Sequence, residues 1–163
     1  MDAFVIDLDD PRRDDIRSLL EQHLAFANEH SPPEDVHALD LEGLLESAVT
    51  FFSLRVHGEL CGIGAIKELD RDHAELKSMH TAKAARRQGV GRAIVDHLLA
   101  VAVTRGIQRV SLETGSMEAF APARSLYARA GFIPSGPFGD YDQSPNSTFM
   151  TLLLDDARFE PQR

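Results

Sequence analysis

The spacing of apolar residues divides the chain into alternating strand-like and helix-like segments. Strand-like runs cover residues 4–8, 50–56, 60–69, 74–81, 108–112, 132–133 and 148–154. Helical spacing begins at Pro11, Leu41, Val90 and Ala119, with Asp10 as the expected N-cap of the first helix. We expect these helices to end at Ser31, Ala48, Gly106 and Gly131. Hairpins mixed with helical crossovers predict an α/β (α+β) fold with a mixed sheet.

Composition indicates a globular protein and excludes several other classes of protein. The chain has 163 residues, 43% of them hydrophobic, and a formal net charge of -9. We expect one domain over residues 1–163. The single cysteine, Cys61, cannot form an intramolecular disulfide, and no cysteine cluster suggests a metal site.

Charge and hydropathy also limit partners and location. The longest apolar run, residues 98–103, is too short to span a membrane. The acidic balance argues against nucleic-acid binding. The first residues lack the features of a signal peptide, so we expect a cytoplasmic protein with no membrane or nucleic-acid partner.

A glycine-containing turn between a strand and a long helix carries the strongest chemical signal. Gly89 and Gly91 lack side chains, so a phosphate can approach the backbone where helix N–H groups have no intrahelical partner. Basic residues cluster beside the same turn: Lys83, Arg86, Arg87 and Arg92. The third glycine of a dinucleotide-binding fingerprint is replaced by Ile94, and the lysine of a P-loop is absent. Glycines at such a turn also have a purely geometric interpretation.

Two segments in the right order resemble the GNAT superfamily of acetyl-CoA-dependent N-acyltransferases. The first is Arg86-x-x-Gly89-x-Gly91, which follows a strand and opens a helix. The second, residues 123–132, is similar to that family's Ala-x-x-Leu-Tyr-x-x-x-Gly-Phe segment. The resemblance implies a mainly antiparallel central sheet flanked by helices, with splayed fourth and fifth strands. One family position departs, because Phe120 stands where an asparagine is often found.

The resemblance also implies where acetyl-CoA binds. The pyrophosphate would lie on Arg86, Arg87, Gln88, Gly89, Val90, Gly91 and Arg92. The pantetheine arm would pair with backbone groups near Met79, His80 and Thr81.

Candidate catalytic residues follow from the same resemblance. Tyr127 occupies the family's usual position for the acid that protonates the thiolate, although a packed helical tyrosine is the other interpretation. Glu75 stands where some members look to have a general base, and a solvated glutamate is equally compatible. Strand alternation predicts that Glu75, Lys77, Met79 and Thr81 share one face and that His80 points to the other.

The resemblance also implies that the acceptor lies between the N-terminal helices and the loop before the last strand. Ordinary surface turns are the other interpretation of these two segments. Candidate substrate-binding residues are His37, Lys67, Lys77 and Tyr141. Lys67 has two interpretations, a contact to an acceptor carboxylate or an exposed charge on an edge strand.

We therefore expect direct acetyl transfer from acetyl-CoA to an amine of a small molecule, without a metal. The alternative is a non-catalytic acetyl-CoA-binding regulatory or interaction module. A homodimer is a further expectation from the resemblance.

Overall fold

The computed structural model describes residues 3–31 and 41–154, which form a mixed sheet with helices on both faces. Its strands are β1 (Val5–Leu8), β2 (Val49–Val56), β3 (Glu59–Glu68), β4 (His73–Thr81), β5 (Arg109–Gly115), β6 (Ile133–Ser135) and β7 (Ser147–Leu153). Its α-helices are α1 (Asp14–His30), α2 (Leu41–Leu44), α3 (Val90–Thr104) and α4 (Ala121–Arg129). Two 3₁₀ turns, Lys83–Ala85 and Glu118–Phe120, precede α3 and α4.

The strands lie in the order β1-β2-β3-β4-β5-β7-β6. All neighbours are antiparallel except β4 and β5, which run parallel. The predicted mixed, mainly antiparallel sheet flanked by helices is therefore confirmed. Pairing between β4 and β5 extends only from His73/Arg109 to Glu75/Ser111, after which the strands splay apart. This splay opens a gap in the middle of the sheet.

A β-bulge near the end of β4 changes which side chains face which way. Gly64 of β3 stands opposite two residues of β4, because the register moves from Ala65/Lys77 to Ile63/His80. Ser78 takes a positive φ of 57°, which lets the strand accommodate the extra residue. The prediction that Glu75, Lys77, Met79 and Thr81 share a face is therefore wrong. Met79 packs towards α3, while His80 joins Glu75 and Lys77 on the α1 side.

The hydrophobic core has two parts, one on each face of the sheet. The larger part packs α3 onto the central strands through residues such as Ile94 and Leu98. The smaller part joins Ile16 and Leu19 of α1 to Ile63 and Ala65 of β3. Glycines at 62 and 64 let α3 approach closely, because a Cβ at either position would lie under 3 Å from Ile94.

Several predicted element ends differ from the structure. Asp10 does not cap α1; it begins a turn through Pro11, and its carboxylate accepts from the Arg12 backbone N–H, so the helix starts at Asp14. The second helix ends at Leu44 rather than at Ala48. The segment from 119 starts as the 3₁₀ turn and becomes α-helical at Ala121. Lys67 lies on β3, which is flanked by β2 and β4, so its interpretation as an edge-strand charge is wrong.

Candidate active site

The N-terminus of α3 presents an uncapped helix end surrounded by positive charge. Gly89 is the N-cap, with a φ of 83°, and no side chain caps the helix. Arg87 also has a positive φ of 65°, so successive residues of the turn curve the backbone into a concave surface. Arg86, Arg87, Gln88 and Arg92 are exposed beside it. Backbone N–H groups and guanidinium groups at one helix end form an arrangement that binds phosphate.

Gly91 brings three elements together behind this turn. A Cβ at Gly91 would lie 3.1 Å from Leu126 of α4 and 3.7 Å from Thr81 Oγ1 at the end of β4. Arg92 reaches the same helix, since its guanidinium donates to the Arg129 carbonyl at 3.3 Å. The end of β4, the start of α3 and the body of α4 therefore meet at Gly91, next to the turn that opens α3.

The splay leaves one side of β4 without a strand partner just before that turn. On its other side His80 pairs with Ile63 and Thr81 with Gly62 of β3. Towards β5, pairing in the described part of the chain stops at Glu75. Backbone groups near Met79 are thus presented to the gap, where an extended ligand with amide groups can pair with them.

Three polar side chains meet near Glu75, where the pairing of β4 with β5 stops. Lys77 Nζ donates to Glu75 Oε2 at 3.1 Å and to the Tyr141 hydroxyl oxygen at 2.9 Å. The Tyr141 hydroxyl donates in turn to Glu75 Oε2 at 2.5 Å. Glu75 is only 4% exposed. Burial, and then the neighbouring Glu75 charge, raise the pKa of Tyr141 well above its ordinary value, so its hydroxyl stays protonated.

Tyr141 is held in place by aromatic packing from its own loop and from β7. Its ring centroid lies 5.1 Å from that of Phe138 and 5.6 Å from that of Phe149. The structure therefore brings together three of the predicted site residues, Glu75, Lys77 and Tyr141, from β4 and the loop after β6.

A histidine pair joins α1 to β4 further along the same face. His23 Nδ1 lies 3.1 Å from His80 Nδ1, and the rings meet edge to face with centroids 5.0 Å apart. Burial lowers the pKa of each histidine to about 4, and for His80 the charges of His23 and Arg86 add to the effect. Both imidazoles are therefore neutral at neutral pH.

Aromatic side chains of α1 contact Phe120 in the 3₁₀ turn before α4. The ring centroid of Phe120 lies 5.2 Å from that of Phe26 and 6.4 Å from that of His30, both on α1. Phe120 rests against Gly115, where any Cβ would overlap its ring. The position that departs from the expected family pattern is thus filled by a ring that contacts the first helix.

Tyr127 lies on the α3 side of the sheet. It is buried and packs against Phe132, with centroids 6.0 Å apart. Burial, with a smaller effect from the Glu113 charge, raises the pKa of Tyr127 above its ordinary value. Its phenol is therefore protonated and able to donate a proton.

Lys67 stands directly opposite Glu75 in the pairing of β3 with β4, yet its side chain pairs with a different carboxylate. Lys67 Nζ lies 3.8 Å from Glu46 Oε2, so it faces a carboxylate of the protein itself. His37 falls in 32–40, outside the described residues. Within 3–31 and 41–154, no three His, Cys, Asp or Glu side chains are grouped as a metal site requires. In the same ranges no helix has the length and hydropathy needed to span a membrane.

The family model of the acetyltransferase (GNAT) family matches residues 14–132. The chain belongs to the GNAT family. This match spans α1 through α4 and includes the turn at Gly89, which confirms the family that the two sequence segments predicted.

Similar proteins agree with this assignment. The "Uncharacterized N-acetyltransferase YsnE" of Bacillus subtilis is 47% identical over 91% of this chain and 99% of its own length. The solved structure of a putative acyl-CoA N-acyltransferase from Klebsiella pneumoniae superposes with a TM-score of 0.79 at 27% identity, covering 93% of this chain and 97% of that one. A Bacillus subtilis acetyltransferase solved in complex with CoA shares the fold, with a TM-score of 0.69 at 16% identity over 93% of this chain and 99% of that one.

Sequence reasoning missed two features of this GNAT protein's site. It placed His80 on the wrong face, because simple alternation does not anticipate the bulge at Ser78. It gave no role to His23 or Phe26, which look like ordinary helix residues until α1 packs on the sheet. The spacing of polar residues in β4 holds no signal for the extra residue.

Proposed function

We propose that this protein transfers the acetyl group of acetyl-CoA to an amine of a small molecule by direct attack in a ternary complex. The observation that carries the proposal is the gap between β4 and β5 leading to the uncapped N-terminus of α3. An extended thioester ligand with a phosphorylated end fits this site. The unpaired edge of β4 can pair with its amides, and the N-terminus of α3 can bind its phosphates. Membership of the GNAT family supports this reaction class.

The turn at Gly89, which opens α3, fits the pyrophosphate of acetyl-CoA. Gly89 has open space around a Cβ position, so its backbone is accessible, and Gly91 brings the helix close to Thr81. Arg86, Arg87, Gln88 and Arg92 are exposed around the N–H groups that begin at Val90. We propose that these residues hold the phosphates.

The bulged part of β4 fits the pantetheine arm. Met79, His80 and Thr81 are proposed to pair through their backbone groups with the amides of that arm, on the side facing the gap. The bulge supports this because it turns the β4 backbone away from regular pairing where β5 has already diverged.

Tyr127 is proposed as the acid that protonates the departing thiolate. Its raised pKa keeps the phenol protonated, so a hydrogen is available to bond to the sulfur as the C–S bond breaks. Its burial on α4, the helix that contacts Gly91 through Leu126, supports a place near the ligand.

Glu75, predicted as a general base, is proposed to act only through Tyr141. The Glu75 carboxylate is buried, and its Oε2 already accepts from both Tyr141 and Lys77. An acceptor amine on the α1 side would therefore meet the Tyr141 hydroxyl before it met the carboxylate.

The acceptor is proposed to lie between α1 and the loop that carries Tyr141. Lys77 and Tyr141 offer polar contacts there, and Lys67 and His37 stay predicted contacts to the substrate. An acceptor carboxylate would have to displace Glu46 from Lys67, which is 3.8 Å away. Replacing Lys67 with Met tests this: a higher KM for the acceptor supports the contact, and an unchanged KM removes it.

The test of the function is thiol release from acetyl-CoA in the presence of a panel of small amines. We expect release above the rate of acetyl-CoA alone with at least one amine, and acetylated product of matching mass. Tight binding of acetyl-CoA by calorimetry, without product from any amine, would instead favour the non-catalytic CoA-binding module. The cytoplasmic location and the homodimer remain predictions, for which fractionation and light scattering are the measurements.

A further inference from the structure

The first helix crosses the gap between β4 and β5 and contacts both of its sides. On the β4 side, His23 of α1 lies against His80, with their Nδ1 atoms 3.1 Å apart. Three residues later, on the same face of α1, the ring of Phe26 meets that of Phe120 with centroids 5.2 Å apart. The Phe120 ring rests against Gly115, the last residue of β5. The Phe26–Phe120 pair therefore lies where α1 meets the β5 side of the gap.

Both rings of the Phe26–Phe120 pair keep part of their surface open. They meet edge to face, at 80°, and each side chain is only half-buried. A ligand group that covers this surface gains binding free energy because apolar area leaves water. An aromatic group gains more, because it also makes ring–ring contacts. The pair therefore favours an aromatic group over a polar one.

The same face of β5 carries a carboxylate close to this pair. Val110 and Leu112 of β5 pack into the core under α3, so the residues that alternate with them face α1. Glu113 is one of these residues, and its side chain is half-buried. It lies two residues before Gly115, roughly 7 Å along the strand. A negative charge is thus placed next to the Phe26–Phe120 pair.

The charge of Glu113 also reaches the two tyrosines of the site. Burial is the main cause of the raised pKa of Tyr127, and the Glu113 charge adds to it. Burial and then Glu75 raise the pKa of Tyr141, and the Glu113 charge again adds to the effect. Lys77, a cation on the same face, is already paired with Glu75 at 3.1 Å. The Glu113 charge therefore attracts a protonated amine to the space between α1 and the Tyr141 loop.

We propose that the acceptor is an arylalkylamine, whose ring packs on Phe26 and Phe120 and whose amino group is attracted by Glu113. This inference rests on the proposed function and names the substrate class of the same site. The spacing of roughly 7 Å along β5 suits a ring that is joined to its nitrogen by a short alkyl chain. A polyamine or an amino acid would place a second charged group against the two rings, where its lost hydration is not replaced.

The substrate class is tested by comparing small amines. Thiol release from acetyl-CoA is measured with 2-phenylethylamine, propylamine, putrescine and glycine. We expect kcat/KM to be highest for 2-phenylethylamine, by about tenfold or more over propylamine, because only its ring covers the Phe26–Phe120 pair. An equal or higher kcat/KM for propylamine, putrescine or glycine would overturn the proposal.

The ring contact is tested by the selectivity between two of these amines. Phe26→Ala should raise KM for 2-phenylethylamine about tenfold and leave KM for propylamine within about twofold. Phe26→Tyr keeps the ring and should keep the selectivity. Phe4→Leu removes an exposed phenylalanine before β1 and is the control, which should change neither KM. Equal changes of both KM values in Phe26→Ala would show that the ring only packs α1 on the sheet, and would overturn the proposal.

Glu113→Gln separates the charge from the ring contact. Because the carboxylate attracts every protonated amine, KM should rise about threefold for both 2-phenylethylamine and propylamine. The rise should shrink at high salt, since part of the carboxylate is open to solvent. Unchanged KM values for both amines would overturn the role of Glu113.

Ligand binding distinguishes a wrong substrate class from a wrong function. Calorimetry of 2-phenylethylamine with the CoA-loaded protein requires no reaction. Binding that Phe26→Ala weakens about tenfold would support the site even if no amine caused thiol release, and the proposed function alone would then fail. Thiol release with other amines, without binding of 2-phenylethylamine, would keep the function and overturn the substrate class.

Discussion

The Tyr141 hydroxyl donates a 2.5 Å hydrogen bond to the Glu75 carboxylate and thereby fastens the loop after β6 to the fourth strand. Lys77 Nζ contacts both groups, so the negative charge of Glu75 is balanced within a buried cluster. A buried charged group that loses a partner is destabilising, because its lost hydration is no longer replaced.

Tyr141→Phe should therefore lower the free energy of unfolding by about 1.5–3 kcal/mol, the range for hydrogen bonds to charged groups. Urea denaturation at pH 7 measures the loss. A double-mutant cycle with Glu75→Gln isolates the pair, since the two losses should add to more than the loss in the double variant. A change below about 0.5 kcal/mol in Tyr141→Phe, within the range of ordinary surface substitutions, would contradict this account.

The charge beside the α3 N-terminus should control acetyl-CoA binding. Arg86→Gln should raise the Kd for acetyl-CoA about fivefold, which corresponds to about 1 kcal/mol for an exposed ion pair. The effect should shrink at high salt because exposed charges are screened. Arg12→Gln removes another exposed arginine, which pairs with Asp10 instead, so its Kd should match that of the unmodified protein. Calorimetry at two salt concentrations reads both variants.

Close packing of α3 on the bulged strand should make Gly64 sensitive to any side chain. A Cβ at Gly64 would lie 2.7 Å from both Ile94 Cγ2 and Met79 Sδ. Gly64→Ala should cost about 1–3 kcal/mol, as overpacking in a core does. It should also weaken acetyl-CoA binding, because Met79 must move. Gly136→Ala, where nothing lies within 4 Å of the new Cβ, should leave the Tm unchanged to within a few degrees.

The buried histidine pair should make stability depend on pH between about 6.5 and 4. The pKa of each ring is lowered to about 4 by folding, so the unfolded chain binds more protons as the pH falls. Stability is therefore fully present above pH 6.5 and decreases towards pH 4, by on the order of 2 kcal/mol at pH 5 for one such histidine. Urea denaturation at pH 7 and pH 5 should show a smaller decrease in His23→Gln/His80→Gln than in the unmodified protein. An identical decrease in both would show that the pair does not carry this dependence.

Much of the architecture could be predicted from local patterns. Apolar alternation located the strands, and the glycines and arginines around Gly89 located the turn that opens α3, because both depend on residues close together in the chain. Several predicted helix ends differ from the structure. Asp10 and Pro11 are typical of a helix start, yet they form a turn before α1, because the same two residues also suit a β-turn.

The sequence by itself determined the family, the order of the strands and helices, and the cationic turn, since each is encoded in short segments with their own backbone preferences. Only the tertiary structure decided which polar groups meet. The extra residue at Ser78 exchanged the faces of Met79 and His80, and a strand pattern of period two cannot show where a bulge will form. The contacts of His80 with His23, and of Glu75 with Tyr141, join residues 57 and 66 positions apart, so they exist only after α1 and the last loop pack on the sheet.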